Sequence, residues 1–438
     1  MIKNLKLKIK NSQPAFDFYR LGNGVRVVLV PMNGVKSVAV GVYVGTGSRY
    51  EEAKNNGISH FLEHMVFKGT KKFPTPKDTS YLEGLGAIQN AWTDVDATAY
   101  WCKLPSDKWK EGLEMVKELA LCPTIPVRDL EIERGVILEE IQRRNDRPDE
   151  LVAEALQELM FSGSTLGWPI LGRPEIIKSL SRAAFLQYHQ SQYKSANIVV
   201  AAAGNITQRT ALSAQIKNWF GGLPEGQAQG FEKVESKKGP RMKIDNKKLA
   251  NQAHLEVGLP GVSVADPRRF ALTLLTSYLG QGLSSRLFME LREKRGLCYA
   301  VQASESRWRD TGGWDVYAGV NIDKLEGALE GILGELKRTK EMKLTKDELA
   351  QTKEKVRGPI IYSMENPVRQ MEWYAKQALD RPEEMMDYDM MISRLMKVTA
   401  EEIQAVARDL FKTEKLNLAV VGPISPSRKD KLLGILKV

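Results

Sequence analysis

The sequence predicts an α+β protein made of two tandem homologous domains, each a mainly antiparallel sheet with helices packed on one face. Three observations lead to this prediction. At roughly 150 residues per domain, the 438 residues are enough for two or three domains. Strand-like and helix-like stretches alternate along the chain. One pattern of helix and strand also occurs twice, separated by almost half of the chain.

The repeat is a capped helix followed by a buried strand and a glycine turn. The first copy starts at Ser181 and reaches Gly204, and the second starts at Thr399 and reaches Gly422. Because the offset is the same at each position, duplication explains the pattern better than chance does. Between the copies, a stretch rich in Gly, Pro and polar residues is typical of a linker. The predicted divisions are a first domain over 1–223, a linker over 224–240 and a second domain over 241–438.

Several strands open the first copy. Alternating apolar and basic residues predict a half-buried strand over 1–10. Asn23-Gly24 lies between two apolar runs and predicts a hairpin. The later patterns predict a strand over 38–44, a helix that opens near 56–59, strands within 87–101 and helices from 128 to about 161.

Composition and charge exclude several classes of protein. Hydrophobic residues make up 42% and charged residues 27%, as in ordinary globular proteins. No apolar run approaches the roughly 18 residues of a spanning helix, and 1–10 lacks the apolar core of a signal peptide, so we expect neither a membrane segment nor export. The net charge of +10 comes from Lys and Arg interleaved with Asp and Glu, without a basic and aromatic motif. We therefore expect no nucleic-acid partner. The alternative from another functional class, a basic scaffold that binds nucleic acid, would bind DNA or RNA with strongly salt-dependent affinity.

The cysteines indicate the compartment. Cys102, Cys122 and Cys298 are too few for a disulfide framework in so long a chain, and they lack the paired spacing of a zinc knuckle. We expect a reducing, cytoplasmic location.

Two of the 4 histidines fall within one pentapeptide, HFLEH at 60–64. On a helix, His60 and His64 lie on the same face, so both imidazoles can reach one metal ion. Glu63 lies beside them. Zinc lowers the pKa of bound water towards neutrality, and a neighbouring carboxylate can complete proton removal and pass the proton to the leaving amine. On its own, the pentapeptide is also compatible with an ordinary surface helix.

A hydrolytic zinc takes three protein ligands, and a predicted helix downstream offers the third. At about 100° per residue, Glu133 and Glu140 border the apolar stripe that contains Val136 and Ile137, whereas Glu139 points nearly the opposite way. Carboxylates beside a buried stripe need a partner. The pattern predicts Glu140 as the ligand and Glu133 as a residue that orients the site or supports the transition state.

Two segments carry a family resemblance. GISHFLEHMVFKGT at 57–70 and ERGVILEE at 133–140 closely resemble the inverzincin metallopeptidases, the pitrilysin/insulinase family, in its mitochondrial processing peptidase-like branch. The resemblance covers essentially the whole chain, including the duplication, and implies a LuxS/processing-peptidase-like fold with one Zn²⁺ ion per chain. The roles it implies are zinc ligands for His60, His64 and Glu140, general base for Glu63 and supporting acid for Glu133.

The second copy contains a further similar segment, LSSRLFMELREKRGLCY at 283–299. The resemblance implies that Arg292 and Tyr299 bind the substrate backbone and help stabilise the tetrahedral intermediate. From the residues alone, the simpler interpretation pairs Arg292 with neighbouring glutamates and starts a buried strand at Tyr299. Gly280-Gln281-Gly282 resembles the family's glycine-rich loop, but Gln281 stands where glycine is often found, so its role is left open.

QNAWT at 89–93 resembles the family's edge strand. There the resemblance implies that an extended substrate adds by main-chain pairing near Asn90 and Ala91. Without the resemblance, this segment is only a strand after a turn.

These observations predict a zinc-dependent endopeptidase that cleaves extended peptides or unfolded segments in an enclosed chamber. The alternative is a non-catalytic or heterodimeric subunit of a processing-peptidase-like complex, although retention of all the zinc-site residues argues against an idle one. Larger family members enclose substrate with four such domains, so the resemblance implies that this chain pairs with a second one. Because the chain carries both the zinc motif and the Arg/Tyr segment, we expect a homodimer that shares its sites in trans, with a heterodimer with a homologous subunit as the rival.

Overall fold

Two β-sheets organise the chain. The computed structural model describes residues 15–234, 237–247, 252–425 and 427–438, and the strand predicted over 1–10 lies outside them. The strands, in chain order, are β1 Asp17–Arg20, β2 Arg26–Pro31, β3 Ser37–Val44, β4 Ile88–Thr93, β5 Thr98–Pro105, β6 Ile198–Gly204, β7 Arg241–Asn246, β8 Ala253–Pro260, β9 Cys298–Arg307, β10 Gly312–Val320 and β11 Asn417–Gly422. The helices are α1 Ile58–Val66, α2 Pro76–Thr79, α3 Trp109–Leu121, α4 Val127–Asn145, α5 Pro148–Met160, α6 Pro174–Ser179, α7 Arg182–Gln192, α8 Arg209–Phe220, α9 Arg269–Gly280, α10 Leu325–Glu341, α11 Lys346–Met364, α12 Pro367–Asp380, α13 Tyr388–Lys397, α14 Ala400–Leu410 and α15 Arg428–Ile435.

The first sheet has the strand order β1-β2-β6-β3-β5-β4. Neighbouring strands are antiparallel except β2 and β6. The predicted Asn23-Gly24 hairpin is confirmed, because Arg20 of β1 pairs with Arg26 of β2. Strand β4 is the last of the sheet, so within the described residues one of its edges has no strand partner.

The second sheet has the order β7-β11-β8-β10-β9, in which only β7 and β11 are parallel. The predicted repeat is present. Ser181 caps α7 by accepting the N–H of Ala184, and Thr399 caps α14 by accepting the N–H of Glu402. The strands that follow, β6 and β11, are buried at every residue. The α+β class with two mainly antiparallel sheets is confirmed.

Each sheet packs against a helix from a distant part of the chain. Helix α12 packs against β2, β3 and β6, and α5 packs against β8 and β11. Gly258 of β8 makes room for α5, because a Cβ there would lie 2.6 Å from Leu156. The compact units are therefore discontinuous in sequence. The N-terminal unit comprises the described residues up to Glu140 with Trp168–Phe231 and Ile361–Asp387, and the C-terminal unit comprises the described residues of Ile141–Gly167, Glu232–Ile360 and Tyr388–Val438.

The compact units and the sequence-based domains divide the chain by different criteria. The ranges 1–223 and 241–438 follow the repeat and stay a prediction, whereas the units follow the packing. One unit boundary, between Phe231 and Glu232, falls inside the predicted linker 224–240. The others arise because α5 and α12 each pack on the sheet of the other half of the chain.

Helices cover both faces of the first sheet, whereas the sequence analysis expects them on one. Trp101 and Cys102 are neighbours on β5 and so point to opposite faces. A Cβ on Gly41 of β3 would lie 3.2 Å from Trp101 and 3.3 Å from Met371, so α12 covers the face to which Trp101 points. A Cβ on Gly112 of α3 would lie 2.9 Å from Sγ of Cys102, so α3 covers the opposite face. Strands β3 and β6 are buried at nearly every residue and therefore need cover on both sides. Among the described residues, no helix combines the length and the apolarity needed to cross a bilayer.

Candidate metal centre

Gly57 and Glu51 fix the N-terminus of α1. Gly57 has a φ of 94°, and a Cβ there would lie 2.7 Å from the Cα of Gly172, so only glycine fits. The Glu51 carboxylate accepts the N–H groups of Gly57 at 2.7 Å and Ser59 at 2.9 Å. These bonds satisfy donors that the first helical turn leaves free. Burial raises the pKa of Glu51 to about 7, although the same hydrogen bonds act to lower it.

The two histidines of α1 face a carboxylate of α4. The Nε2 atoms of His60 and His64 each lie 3.8 Å from Oε2 of Glu140. The opposite face of α1 carries Phe61 and Leu62, which are fully buried and hold the helix against the core. Among the described residues, His60, His64 and Glu140 form the only group of three metal-ligating side chains close enough to share one ion, with ligand atoms within 4.8 Å of one another.

The donor set and its spacing fit zinc. Two imidazole nitrogens and one carboxylate oxygen are the ligands of many catalytic zinc sites. With bonds of about 2.0–2.1 Å, ligand atoms around a tetrahedral ion lie about 3.3 Å apart. The 3.8 Å separations between each histidine and Glu140 would close to that value with a movement of about half an ångström. The side chains are 12–28% exposed, so the site is partly shielded from solvent but reachable.

Glu133 orients His64. Its Oε2 lies 3.1 Å from Nδ1 of His64, and its Oε1 lies 2.7 Å from Nζ of Lys68. A carboxylate that accepts the Nδ1–H of a histidine leaves Nε2 free for the metal and holds the ring in place. The Lys68 ammonium compensates the charge of this carboxylate, which is only 7% exposed.

The faces of α4 agree with the sequence analysis except at one residue. Glu139 is exposed, whereas Glu140 and Glu133 lie on the inward side. Ile137 is fully buried, but Val136 is 42% exposed, so the predicted apolar stripe is wrong at that residue. Val136 precedes Ile137 by about 100° on the helix, and the buried stripe is too narrow to include both.

Glu63 is held beside the three candidate ligands by Thr93. The Thr93 hydroxyl donates to Oε2 of Glu63 at 2.7 Å. Burial raises the pKa of Glu63, and the nearby Glu140 acts in the same direction, whereas the Thr93 hydrogen bond and the charge of His64 act to lower it. The chain thus provides a partly buried carboxylate with a fixed orientation, as a general base requires.

Three residues that position the site escaped the sequence analysis. Glu51 caps α1, Lys68 pairs with Glu133, and Thr93 holds Glu63. Lys68 could have been noticed in the sequence, because it follows His64 by only four residues, just beyond the end of α1. Nothing in the sequence pointed to Thr93, because it reaches Glu63 only through the packing of β4 beside α1.

Asn90 and Ala91 lie on β4, the last strand of the first sheet. Asn90 is exposed and Ala91 is buried. The side-chain oxygen of Asn90 accepts the N–H of Ala91 at 2.8 Å.

Arg292 and Tyr299 are brought together in the C-terminal unit. The Arg292 guanidinium lies 5.5 Å from the centre of the Tyr299 ring and 4.8 Å from that of Phe288. A strand, β9, begins at Cys298 as the simpler interpretation expects, but Tyr299 itself is 73% exposed, so its expected burial is wrong. The neighbouring Glu290 pairs instead with Lys294, at 2.6 Å.

Comparison with known families identifies the chain. The insulinase family, peptidase family M16, matches residues 26–173, and the peptidase M16 inactive domain matches residues 179–356. The chain belongs to peptidase family M16. The pitrilysin/insulinase resemblance of the motifs is thereby confirmed, and the matched M16 regions include the zinc-ligand candidates of α1 and α4.

Bacterial relatives match this M16 chain over nearly its full length. An uncharacterized zinc protease of Bacillus subtilis is 34% identical over 406 residues, which are 92% of this chain and 98% of the relative. An uncharacterized zinc protease of Streptomyces coelicolor is 32% identical and covers 94% of this chain and 90% of its own. The crystal structure of a protease from Helicobacter pylori matches with a TM-score of 0.86 at 22% identity, covering 94% of this chain and 100% of that one. A peptidase M16 inactive domain from Pseudomonas fluorescens matches with a TM-score of 0.85 at 20% identity, covering 94% and 98%. These two structures support the fold alone.

Proposed function

We propose that the chain is a zinc-dependent endopeptidase that cleaves extended peptides or unfolded segments in an enclosed chamber. The observation that carries this proposal is the convergence of His60, His64 and Glu140, with Glu63 fixed beside them by Thr93. The zinc-protease names of the bacterial relatives support it. Zinc, when bound by these three side chains, would polarise the scissile carbonyl and make water a nucleophile near neutral pH.

The chain's own residues would move the proton. Glu63 takes it from the attacking water and passes it to the nitrogen of the leaving amine, and the Thr93 hydrogen bond keeps its carboxylate oriented for both steps. Glu133 and Lys68 hold the His64 ring in one orientation throughout. Tyr299 and Arg292 would supply donors to the developing oxyanion.

Strand β4 would receive the substrate. A strand with an unpaired edge can bind an extended peptide by main-chain hydrogen bonds. The Asn90 side chain already accepts the N–H of Ala91, so Asn90 would turn away when that N–H pairs with a peptide. We propose this exchange as the role of Asn90 and Ala91 in substrate binding.

Metal analysis of the purified protein, run beside a quenched-fluorescence peptide assay, tests the proposal. We expect about one zinc per chain, loss of hydrolysis with a chelator and recovery on adding zinc back. Absence of stoichiometric zinc would contradict the metal site. Zinc without hydrolysis of any extended peptide would favour the alternative, a non-catalytic or heterodimeric subunit.

We also propose that the chain acts as a homodimer in which the zinc site of each chain uses Arg292 and Tyr299 of the other. Mixing an inactive Glu63→Gln protein with an inactive Arg292→Ala/Tyr299→Phe protein should restore part of the activity, because one site in each mixed dimer is then intact. Chain exchange without recovery, or an active monomer in light scattering, would reject the arrangement. A zinc-loaded chain that gains activity only with a homologous subunit would support the heterodimer.

The cytoplasmic location stays a prediction, supported by three cysteines without a disulfide.

A further inference from the structure

The C-terminal unit contains a cavity of about 240 Å³ beneath α5. Its lining includes Asp149, Glu256, Gln302, Ser304, Asp315 and Tyr317. The cavity is several times the roughly 30 Å³ that a water molecule occupies in the liquid. No lysine or arginine is among these lining residues.

Two carboxyl groups meet at the base of this cavity. Glu256 of β8 is opposite Tyr317 of β10, and Asp315 is opposite Gly258, so the side chains of Glu256, Asp315 and Tyr317 share one face of the sheet. Glu256 is only 6% exposed, and no donor among the described residues reaches its Oε2. The neighbouring Asp315 is also an acceptor unless it carries a proton.

The charges around the pair do not compensate it. Burial raises the pKa of Asp315 to about 6, and burial together with the neighbouring Asp315 raises the pKa of Glu256 well above its usual range. Asp149 is a third acid, and its hydrogen bond to Arg147 at 2.8 Å keeps its pKa low. The cavity therefore offers carboxyl oxygens that lack a cationic partner.

The corresponding cavity of the N-terminal unit is different. It lies between the start of α12 and strands β4 and β5, as this cavity lies between the start of α5 and strands β9 and β10. Its lining includes Lys103, Arg369 and Trp92, and its acid, Glu372, pairs with Arg369 at 3.3 Å. The shared architecture therefore does not require an uncompensated acid pair at this place.

We propose that the cavity of the C-terminal unit binds an organic cation, a primary ammonium or a guanidinium group, between Glu256 and Asp315. Such a group carries several N–H donors and a positive charge, and it would replace the proton that the carboxyl pair keeps because of its raised pKa values. The released proton goes to solvent. Tyr317, fixed by a 2.8 Å contact between its hydroxyl and Nδ1 of His254, borders the bound group.

A metal ion fits the cavity less well than an organic cation. Among the described residues, the acids of this cavity do not form a group of three ligand atoms close enough to share one ion. An ammonium or guanidinium group needs only directed hydrogen bonds, which two carboxyls and the neighbouring amide and hydroxyl groups of Gln302 and Ser304 can accept.

Calorimetric titration of the zinc-loaded, full-length protein with agmatine and with butylammonium tests this site, with n-butanol as the uncharged control. We expect saturable binding of the two cations at millimolar concentration or below and none of the alcohol. Glu256→Gln/Asp315→Asn should weaken cation binding at least about tenfold, the fold-change expected for losing charge-assisted hydrogen bonds. Glu158→Gln, which removes an exposed acid from the same helix α5, should leave it unchanged.

A second arm distinguishes a free cation from a basic side chain of a peptide. An alanine- and serine-rich peptide with one arginine and the same peptide with citrulline are titrated into the Glu63→Gln protein, which leaves the peptide intact. A preference for the arginine peptide that disappears with Glu256→Gln indicates a peptide side chain, whereas binding of agmatine alone indicates a free cation.

Three outcomes would each overturn the proposal. They are equal binding of cation and alcohol, no saturable binding, and cation binding that Glu256→Gln leaves unchanged in a protein with an unchanged circular dichroism spectrum. Because the readout is binding, these outcomes do not depend on whether the zinc site hydrolyses peptides.

Discussion

The two units use similar sheets but surround their buried acids differently. In the N-terminal unit, Glu133 lies between His64 and Lys68, and Glu63 accepts a hydrogen bond from Thr93. In the C-terminal unit, Glu256 meets Asp315, and no lysine or arginine is among the residues that line their cavity. Glu133 and Glu63 therefore have partners within the chain, whereas we propose that Glu256 and Asp315 take a cation from solution. The duplicated architecture therefore sets where a site can form, while a few side chains decide its chemistry.

Replacement of one glutamate in each unit gives the largest contrast. Glu63→Gln keeps the shape and can still accept the Thr93 hydrogen bond but cannot take a proton. We expect peptide hydrolysis to fall at least ~100-fold while zinc stays bound. Glu158→Gln, which changes an exposed acid of the other unit, should leave kcat near the wild-type value. Assays of kcat with zinc content on both proteins check this, and near wild-type hydrolysis by Glu63→Gln would reject its role as base.

Two adjacent glutamates of α4 give the next contrast. Glu140→Gln removes a carboxylate ligand and should lower zinc occupancy sharply after dialysis, whereas Glu139→Gln changes an exposed side chain and should not. Metal analysis under identical dialysis compares the two. Equal zinc loss in both variants would contradict the placement of Glu140 as a ligand.

The partner of His64 gives a smaller effect. Glu133→Gln weakens the orientation of His64 and leaves Lys68 without its counter-charge. We expect activity to fall about 10–100-fold, with a smaller loss of zinc, as for other residues that orient a metal ligand. The ratio of activity to bound zinc measures it, and a variant whose activity falls only in proportion to its zinc content would show that Glu133 has no role beyond metal retention.

The acid pair of the C-terminal unit gives the smallest effect, on stability. Because the folded pKa values of Asp315 and Glu256 are raised, the folded state keeps protons that the unfolded state loses, and stability falls as pH rises from about 4 towards 7. The groups facing the pair are Asp149 from α5, His254 from β8 and Tyr317 from β10. Glu256→Gln should therefore stabilise the protein at pH 7–8, by about 1–3 kcal/mol, and by less near pH 4. Denaturant unfolding at both pH values measures this, and equal effects at the two pH values would argue against the shared proton.

Local patterns predicted most of what lies within one element. The spacing of His60, Glu63 and His64 and the face of Glu140 follow from the helical period, and the caps at Ser181 and Thr399 from residue type. These predictions concern neighbours separated by a few residues, where backbone geometry alone fixes the distance.

The features that escaped prediction depend on contacts between distant segments. Thr93 reaches Glu63 only because β4 packs beside α1, and Glu256 meets Asp315 only through the register of β8 and β10. The packing of α12 on β3 and β6 is of the same kind. The prediction that Val136 is buried is wrong for a similar reason, because the width of a buried stripe depends on what packs against the helix.

Helix α12 comes from the second half of the chain but packs on the first sheet, which has a consequence for synthesis on the ribosome. The segment that contains α12, Ile361–Asp387, is translated about 130 residues after Phe231. At about 5–20 residues per second, this delay is roughly 7–26 s. During that time β3 and β6, whose apolar side chains point to both faces, have emerged without the helix that later covers one of them. The nascent N-terminal unit therefore exposes an apolar sheet face until the C-terminal part of the chain is made.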